Sequence, residues 1–105
     1  MKMSQENLEN AIRKMLSVIK PKEVSFVDFD LTPIDKDEYY MSVTYILPDD
    51  SPLLKVKGNP RIYDNLRMEW NEEVKKNLKN FLNAKVVITS TGLSSESWYK
   101  QQLNR

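Results

Sequence analysis

Five residues at the end of an apolar stretch, Asp28-Phe29-Asp30-Leu31-Thr32, are where side-chain type and spacing in this chain could do chemistry. Two carboxylates two positions apart, at Asp28 and Asp30, fall on the same face of an extended strand. There one could attack an electrophile and both could hold a hard divalent cation. Asp35, Asp37 and Glu38, and separately Asp49 and Asp50, offer oxygen ligands of the same kind. They lack EF-hand spacing, and Asp favours turns for local reasons, so no metal site and no cofactor is expected. The chain has no histidine and no cysteine. The commonest general acid/base, the thiolate nucleophile and Cys-based zinc sites are therefore excluded. Catalysis would fall to carboxylates, Lys, Tyr or Ser.

The Asp28–Thr32 run resembles the DxDxT nucleophile motif of haloacid-dehalogenase-type phosphatases. In that family the first Asp attacks phosphorus and both acids help to hold Mg²⁺, which the resemblance would assign to Asp28 and Asp30. The match covers these five positions, whereas the family also uses a doubly wound parallel sheet, a downstream Lys and further acids on other strand ends. Here the next strand follows after a short loop and must pair antiparallel. Asp28 and Asp30 are accordingly read as solvent-facing strand residues, and the chain as non-enzymatic.

Basic side chains suggest a second chemistry. Residues 21–50 hold eight acids against Lys22 and Lys36, a net of −6, while residues 51–105 hold ten basic side chains against five acids, a net of +5. Such asymmetry marks either a binding face or two halves that attract one another on folding. Lys55, Lys57, Arg61, Lys75 and Lys79, with Lys76 and Lys85, could contact nucleic-acid phosphates. The order of elements resembles double-stranded-RNA-binding and KH domains. The chain nevertheless lacks a GxxG clamp and a basic cluster opening its second long helix. Pairing of Glu72 with Lys76 at i+4 and complementation of the helix dipole account for the lysines as a solvated surface.

The elements that must position these groups are readable. Asn59 to Asn83 forms one long helix, with Asn59 as N-cap and Pro60 at the first helical position. At about 100° per residue Tyr63, Leu66, Trp70, Val74 and Phe81 make an apolar stripe edged by Ile62 and Leu78. Asn77 falls on the same side and needs a partner if buried. Residues 4–20 form a second amphipathic helix, capped by Ser4, stopped by Pro21 and inward-facing at Leu8, Ala11, Ile12, Met15, Leu16 and Ile19. Residues 23–31 and 38–47 are strands with odd-numbered residues inward. Parity then pairs Leu31 with Tyr39, Phe29 with Met41 and Val27 with Val43, across a Thr32–Glu38 loop. Pro48 to Pro52 is a turn. Leu53 to Lys57 is a short exposed strand with Leu54 and Val56 inward. Lys85 to Thr91 is a strand whose Val86, Val87 and Ile88 suggest a central position, ended by Gly92. Ser94 or Ser95 caps a C-terminal helix bearing Trp98, Tyr99 and Leu103.

With 105 residues, 40% apolar and 30% charged, this is a single globular domain over 1–105. The fold class is α+β: a small antiparallel or mixed sheet of three to four strands, two main amphipathic helices packed on one face, in the order α-β-β-(β)-α-β-α. No apolar run approaches the ~20 residues of a membrane span, and the start of the chain lacks a signal-peptide apolar region. A soluble intracellular or virion-type protein is expected, without a membrane partner. The second sheet face would show Asp28, Asp30, Tyr40 and Ser42 at one end and Val24, Phe26 and Ile46 at the other. Trp98 and Tyr99 on residues 93–105 either fold back onto the domain or dock elsewhere; with the outer-face cluster they give an expected docking surface for other protein subunits, homo- or hetero-oligomeric. The Lys/Asn/Ile/Tyr-heavy, cysteine-free composition fits a small structural or assembly component of a phage or viral particle. Nucleic-acid binding through the basic helix side is the alternative.

Overall fold

Ser4 accepts a hydrogen bond from the Asn7 amide at 3.1 Å and starts α1, Gln5–Ile19. Ile12 and Leu16 lie fully buried on the sheet side of α1, and Leu8, Met15 and Ile19 flank them. The computed structural model describes residues 4–104, apart from the Lys57 side chain. Strands β1 (Phe26–Asp35) and β2 (Glu38–Leu47) pair antiparallel. After a 3₁₀ helix at Pro52–Gly58, helix α2 (Pro60–Leu82) crosses back to β3 (Lys85–Ser95), which pairs parallel to β2. A short α3, Glu96–Leu103, follows directly. The sheet is mixed, three-stranded, in the order β1-β2-β3. A parallel pair requires a crossover rather than a hairpin, and α2 supplies it.

Both long helices pack on one face, as the two apolar stripes require. Ile12, Leu16, Trp70, Val74 and Leu78 meet Val27, Phe29, Leu31, Met41, Val43, Tyr45, Leu47, Val86 and Leu93 in one core. Trp70 places its ring 5.0 Å from that of Tyr45, edge to face at 64°. Asn59 caps α2 through Ile62 N at 3.3 Å, and Asn83 ends it in the left-handed region (φ 51°, ψ 47°), which Asn tolerates.

Several expectations are corrected. The hairpin register lies two residues from the expected one: Leu31 pairs with Met41, Phe29 with Val43 and Val27 with Tyr45. The expected inside/outside parity is unchanged. The difference arises because β1 continues to Asp35, leaving Lys36 and Asp37 as the turn, with the Asp35 carboxylate accepting from Lys36 N at 2.6 Å. Pro33 stays in β1 because an edge strand can spare an amide donor. Leu53 to Lys57 is not a strand but part of the 3₁₀ helix, set by Pro52 and by Ser51, which accepts from Leu53 N at 3.2 Å. β3 lies at the sheet edge, with β2 central, and runs through Gly92 to Ser95. Phe81 and Ile62 are exposed. The buried line of α2 steps Trp70, Val74, Leu78 and then Leu82, which leaves Phe81 beside it. Asn77 finds its partner within its own helix, donating to Glu73 O at 2.8 Å.

Candidate functional site

Three surfaces carry the groups singled out above. On the first, Asp28 and Asp30 share the outer sheet face opposite Thr44 and Ser42. Asp28, Arg13, Ser17, Phe26 and Tyr99 line a hollow of about 240 Å³. Burial, and then a hydrogen bond to the Asp28 carboxylate, push the Tyr99 phenol above its ordinary pKa. Asp28 thus lies beside the Tyr99 phenol of α3. The strand that bears it is one arm of an antiparallel hairpin, not part of a parallel sheet. Three of the turn acids are also engaged within the domain. Asp35 holds the turn amide, Glu38 lies 3.6 Å from Lys85, and Asp49 accepts from Ser97.

The second surface is the outer sheet face, where α3 folds back. Phe26 meets Tyr99 edge to face at 5.3 Å, and beneath them Ile46, the β2 partner of Phe26, is fully buried. Val24 is buried too, in the inner core, because β1 begins only at Phe26. Neither Val24 nor Ile46 is therefore available to a partner, which corrects the docking surface expected from sequence. Phe26, Tyr40 and Trp98 remain exposed at 37%, 41% and 56%. Tyr40 stands six residues along β2 from Ile46, about 20 Å away at the strand rise, so these aromatics do not form one patch. Trp98 instead borders a hollow of about 550 Å³ over Thr44, Gly92 and Ser94.

Two contacts hold α3 in place, one local and one from far away in sequence. Ser95 caps it by accepting from Trp98 N at 3.1 Å. Asp49, from the turn after β2, accepts from Ser97 N at 3.0 Å and from the Ser97 hydroxyl. These bonds from Ser97, assisted by Lys100, hold the Asp49 carboxyl below its ordinary pKa. A depressed carboxylate stabilises the folded form above the unfolded-state value of about 3.9 and loses that contribution as pH falls through the folded value. The α3 tether is therefore expected to be complete at neutral pH and to release in acid. Amide shifts of Ser97 and Trp98 followed by NMR against pH will check this. The Ser97 amide should report a carboxylate titrating below the ordinary Asp value of about 3.9, and Asp49→Asn should abolish the step.

The third surface is basic. Lys75, Lys76 and Lys79 of α2 gather with Lys85 at the start of β3, around a groove of about 640 Å³ that also includes Glu72 and Val86. The groove continues past Val87 and Ile88 to Met68 and Asn71. Glu72 pairs with Lys75 at 3.5 Å, one step nearer than the expected Lys76. Of the expected nucleic-acid contacts, Lys75 and Lys79 come together here. Arg61 lies in the first turn of α2, about 21 Å away along the helix from Lys75 at ~1.5 Å per residue. Lys55 belongs to the 3₁₀ helix, and the Lys57 side chain lies outside the described residues. The five do not converge.

The groove was hidden from sequence reasoning because Val86, Val87 and Ile88 read as a doubly covered strand. The available signal was the turn to Thr89, Ser90 and Thr91 immediately after them, which a central strand would not favour. The fold defines the class as α+β, with helices packed against a three-stranded mixed sheet. Comparison with known proteins matches the chain to no family model, no curated protein and no solved structure.

Proposed function

We propose that this chain is a non-enzymatic protein-interaction module that takes an extended stretch of partner polypeptide along the free edge of β3. One observation carries the reading: the edge residues Val86, Val87 and Ile88 bear no charge and open onto the groove beneath α2. An unpaired edge offers a row of backbone donors and acceptors to another chain, with side-chain pockets beside it. Such edges are commonly blunted by charges, Pro or a β-bulge; β3 has a bulge at Thr89 but no charged residue from Val86 to Ser95. Here Lys85 stands at its first residue and the other lysines stand across the groove on α2. The extra residue Thr89, between the Met41–Ile88 and Ser42–Ser90 pairs, divides β3 into two regular stretches, Lys85–Ile88 beside the groove and Ser90–Ser95 beyond it.

Selection of random displayed peptides on the immobilised chain, followed by amide hydrogen exchange on the complexes, tests the proposal. Enriched peptides are expected to slow exchange at residues 86–88. No enrichment, or binders that leave those amides unprotected, would overturn it.

A further inference from the structure

Resting on the strand-addition reading, we infer that the segment accepted beside β3 is acidic at one end and apolar at the other. The two walls of the groove run in opposite directions. Lys79 of α2 stands beside Lys85, and Met68 stands beside Ile88. From Met68 to Lys79 the helix covers about 16 Å at ~1.5 Å per residue, the span of about five extended residues at ~3.3 Å each. The walls differ sharply in chemistry along that length. At the Lys85 end stand Lys75, Lys76, Lys79 and Lys85; Lys75 pairs with Glu72 at 3.5 Å and Lys85 with Glu38 at 3.6 Å, and among the described residues Lys76 and Lys79 make no ion pair. At the Ile88 end stand Val87, Ile88, Asn71 and Met68, the last 63% exposed, while Glu72, Lys75, Lys85 and Val86 border both ends, so the charge thins out towards Met68.

Charge decides among the occupants. A second copy pairing edge to edge would bring another four lysines towards the same groove, and like charges set against one another at an interface oppose association. A nucleic-acid strand would satisfy the lysines. The groove, however, has no aromatic side chain on which a base could stack, and single-strand binders rely on such platforms. A peptide carrying two or three carboxylates followed by aliphatic side chains satisfies the lysines, the apolar end and the backbone edge together.

Fluorescence polarisation with defined probes tests the assignment. The probes are labelled eight-residue peptides with three Glu at either the N- or the C-terminal end and Val/Leu elsewhere. The comparison probes are the same peptides with Lys or Ser replacing Glu, and a single-stranded oligothymidylate of eight residues. At least one acidic peptide is expected to bind and to protect residues 86–88, with affinity falling as salt rises. It should weaken about tenfold in the Lys75→Gln/Lys79→Gln variant, the scale of two exposed charge pairs. These variants remove charge from an exposed helix face, and an unchanged melting temperature will confirm that they fold. Equal binding of the Ser peptides with protection of 86–88 would overturn the acidic assignment and leave strand addition standing. Tighter binding of the oligonucleotide than of any peptide, or unchanged acidic-peptide affinity in the double variant, would also overturn it. If no peptide protects those amides, both readings fall.

Discussion

Trp70→Ala is expected to remove about 3–5 kcal/mol of folding stability, the range for truncating a buried large aromatic. That is a large share of the ~5–15 kcal/mol that holds a small domain folded. Trp70 sits midway along the buried line of α2, 6% exposed, with its ring against Tyr45. Alanine would forfeit the transfer energy of the indole, the edge-to-face contact and the packing around the vacated space. The centre of the sheet cannot collapse freely to fill that space, because Met41, Val43 and Tyr45 are fixed by pairing on both sides of β2. The other tryptophan supplies the contrast. Trp98 is 56% exposed on α3, and Trp98→Ala should change stability by less than ~0.5 kcal/mol. Urea unfolding followed by far-ultraviolet circular dichroism will separate the two, with unchanged slopes confirming a common two-state transition. A loss below ~1 kcal/mol for Trp70→Ala would mean that the core is not organised around this residue.

That Trp70 is core was legible from spacing alone, as were both long helices and their caps. Local chemistry determined these features. Ser4 and Asn59 each bond an amide three residues on, and Pro60 and Pro21 mark boundaries that no tertiary contact needed to adjust. The facing of β1 and β2 was equally legible, since placing Asp28 and Asp30 in the core would be prohibitive. Parity, however, fixes register only to within two residues. Whether Pro33 lay in the turn or in β1 depended on β1 being an edge strand, a property of the whole sheet.

The candidate surfaces were less legible because they depend on partners far apart in sequence. Ile46 on the outer face looked uncovered until α3 closed over it, through Tyr99 on Phe26 and through Asp49 on Ser97, 48 residues away. Ser94 and Ser95 were both open as caps of the C-terminal helix, and Ser95 is the one that caps it. Nothing local encoded where its aromatic residues would rest. The four-lysine groove has the same origin. Lys85 joins Lys75, Lys76 and Lys79 only because the crossover returns β3 antiparallel to α2 at the sheet edge. The sequence reading instead grouped the lysines with Lys55 and Arg61 by charge.

A polar chain between α2 and the sheet carries the second large effect. The Tyr45 hydroxyl donates to Asn71 Oδ1 at 2.8 Å, and Asn71 Nδ2 donates to Thr91 Oγ1 at 2.8 Å. Tyr63 adds a bond from its hydroxyl to Thr91 O at 3.3 Å. This links the central strand, the crossover helix and the edge strand in one line, and it holds α2 to β3 at Thr91, three residues past the groove. Asn71→Ala is expected to cost about 1–3 kcal/mol, because it orphans the hydroxyl of a fully buried tyrosine rather than merely deleting a bond. Tyr45→Phe removes donor and desolvation cost together and should cost only about 0.5–1.5 kcal/mol. In the double variant the Asn71 substitution has no hydroxyl left to orphan, so the total should fall short of the sum by about 0.5–2 kcal/mol. Alkali provides an independent check. Burial raises the Tyr45 phenol well above its ordinary pKa. Below about pH 10 the phenol is neutral folded and unfolded alike, and its contribution is intact. Above that, the unfolded chain ionises first and stability declines with pH. Relative to wild type, Tyr45→Phe should flatten that decline. Strict additivity in the cycle together with an unaltered alkaline slope would show that the three residues act separately.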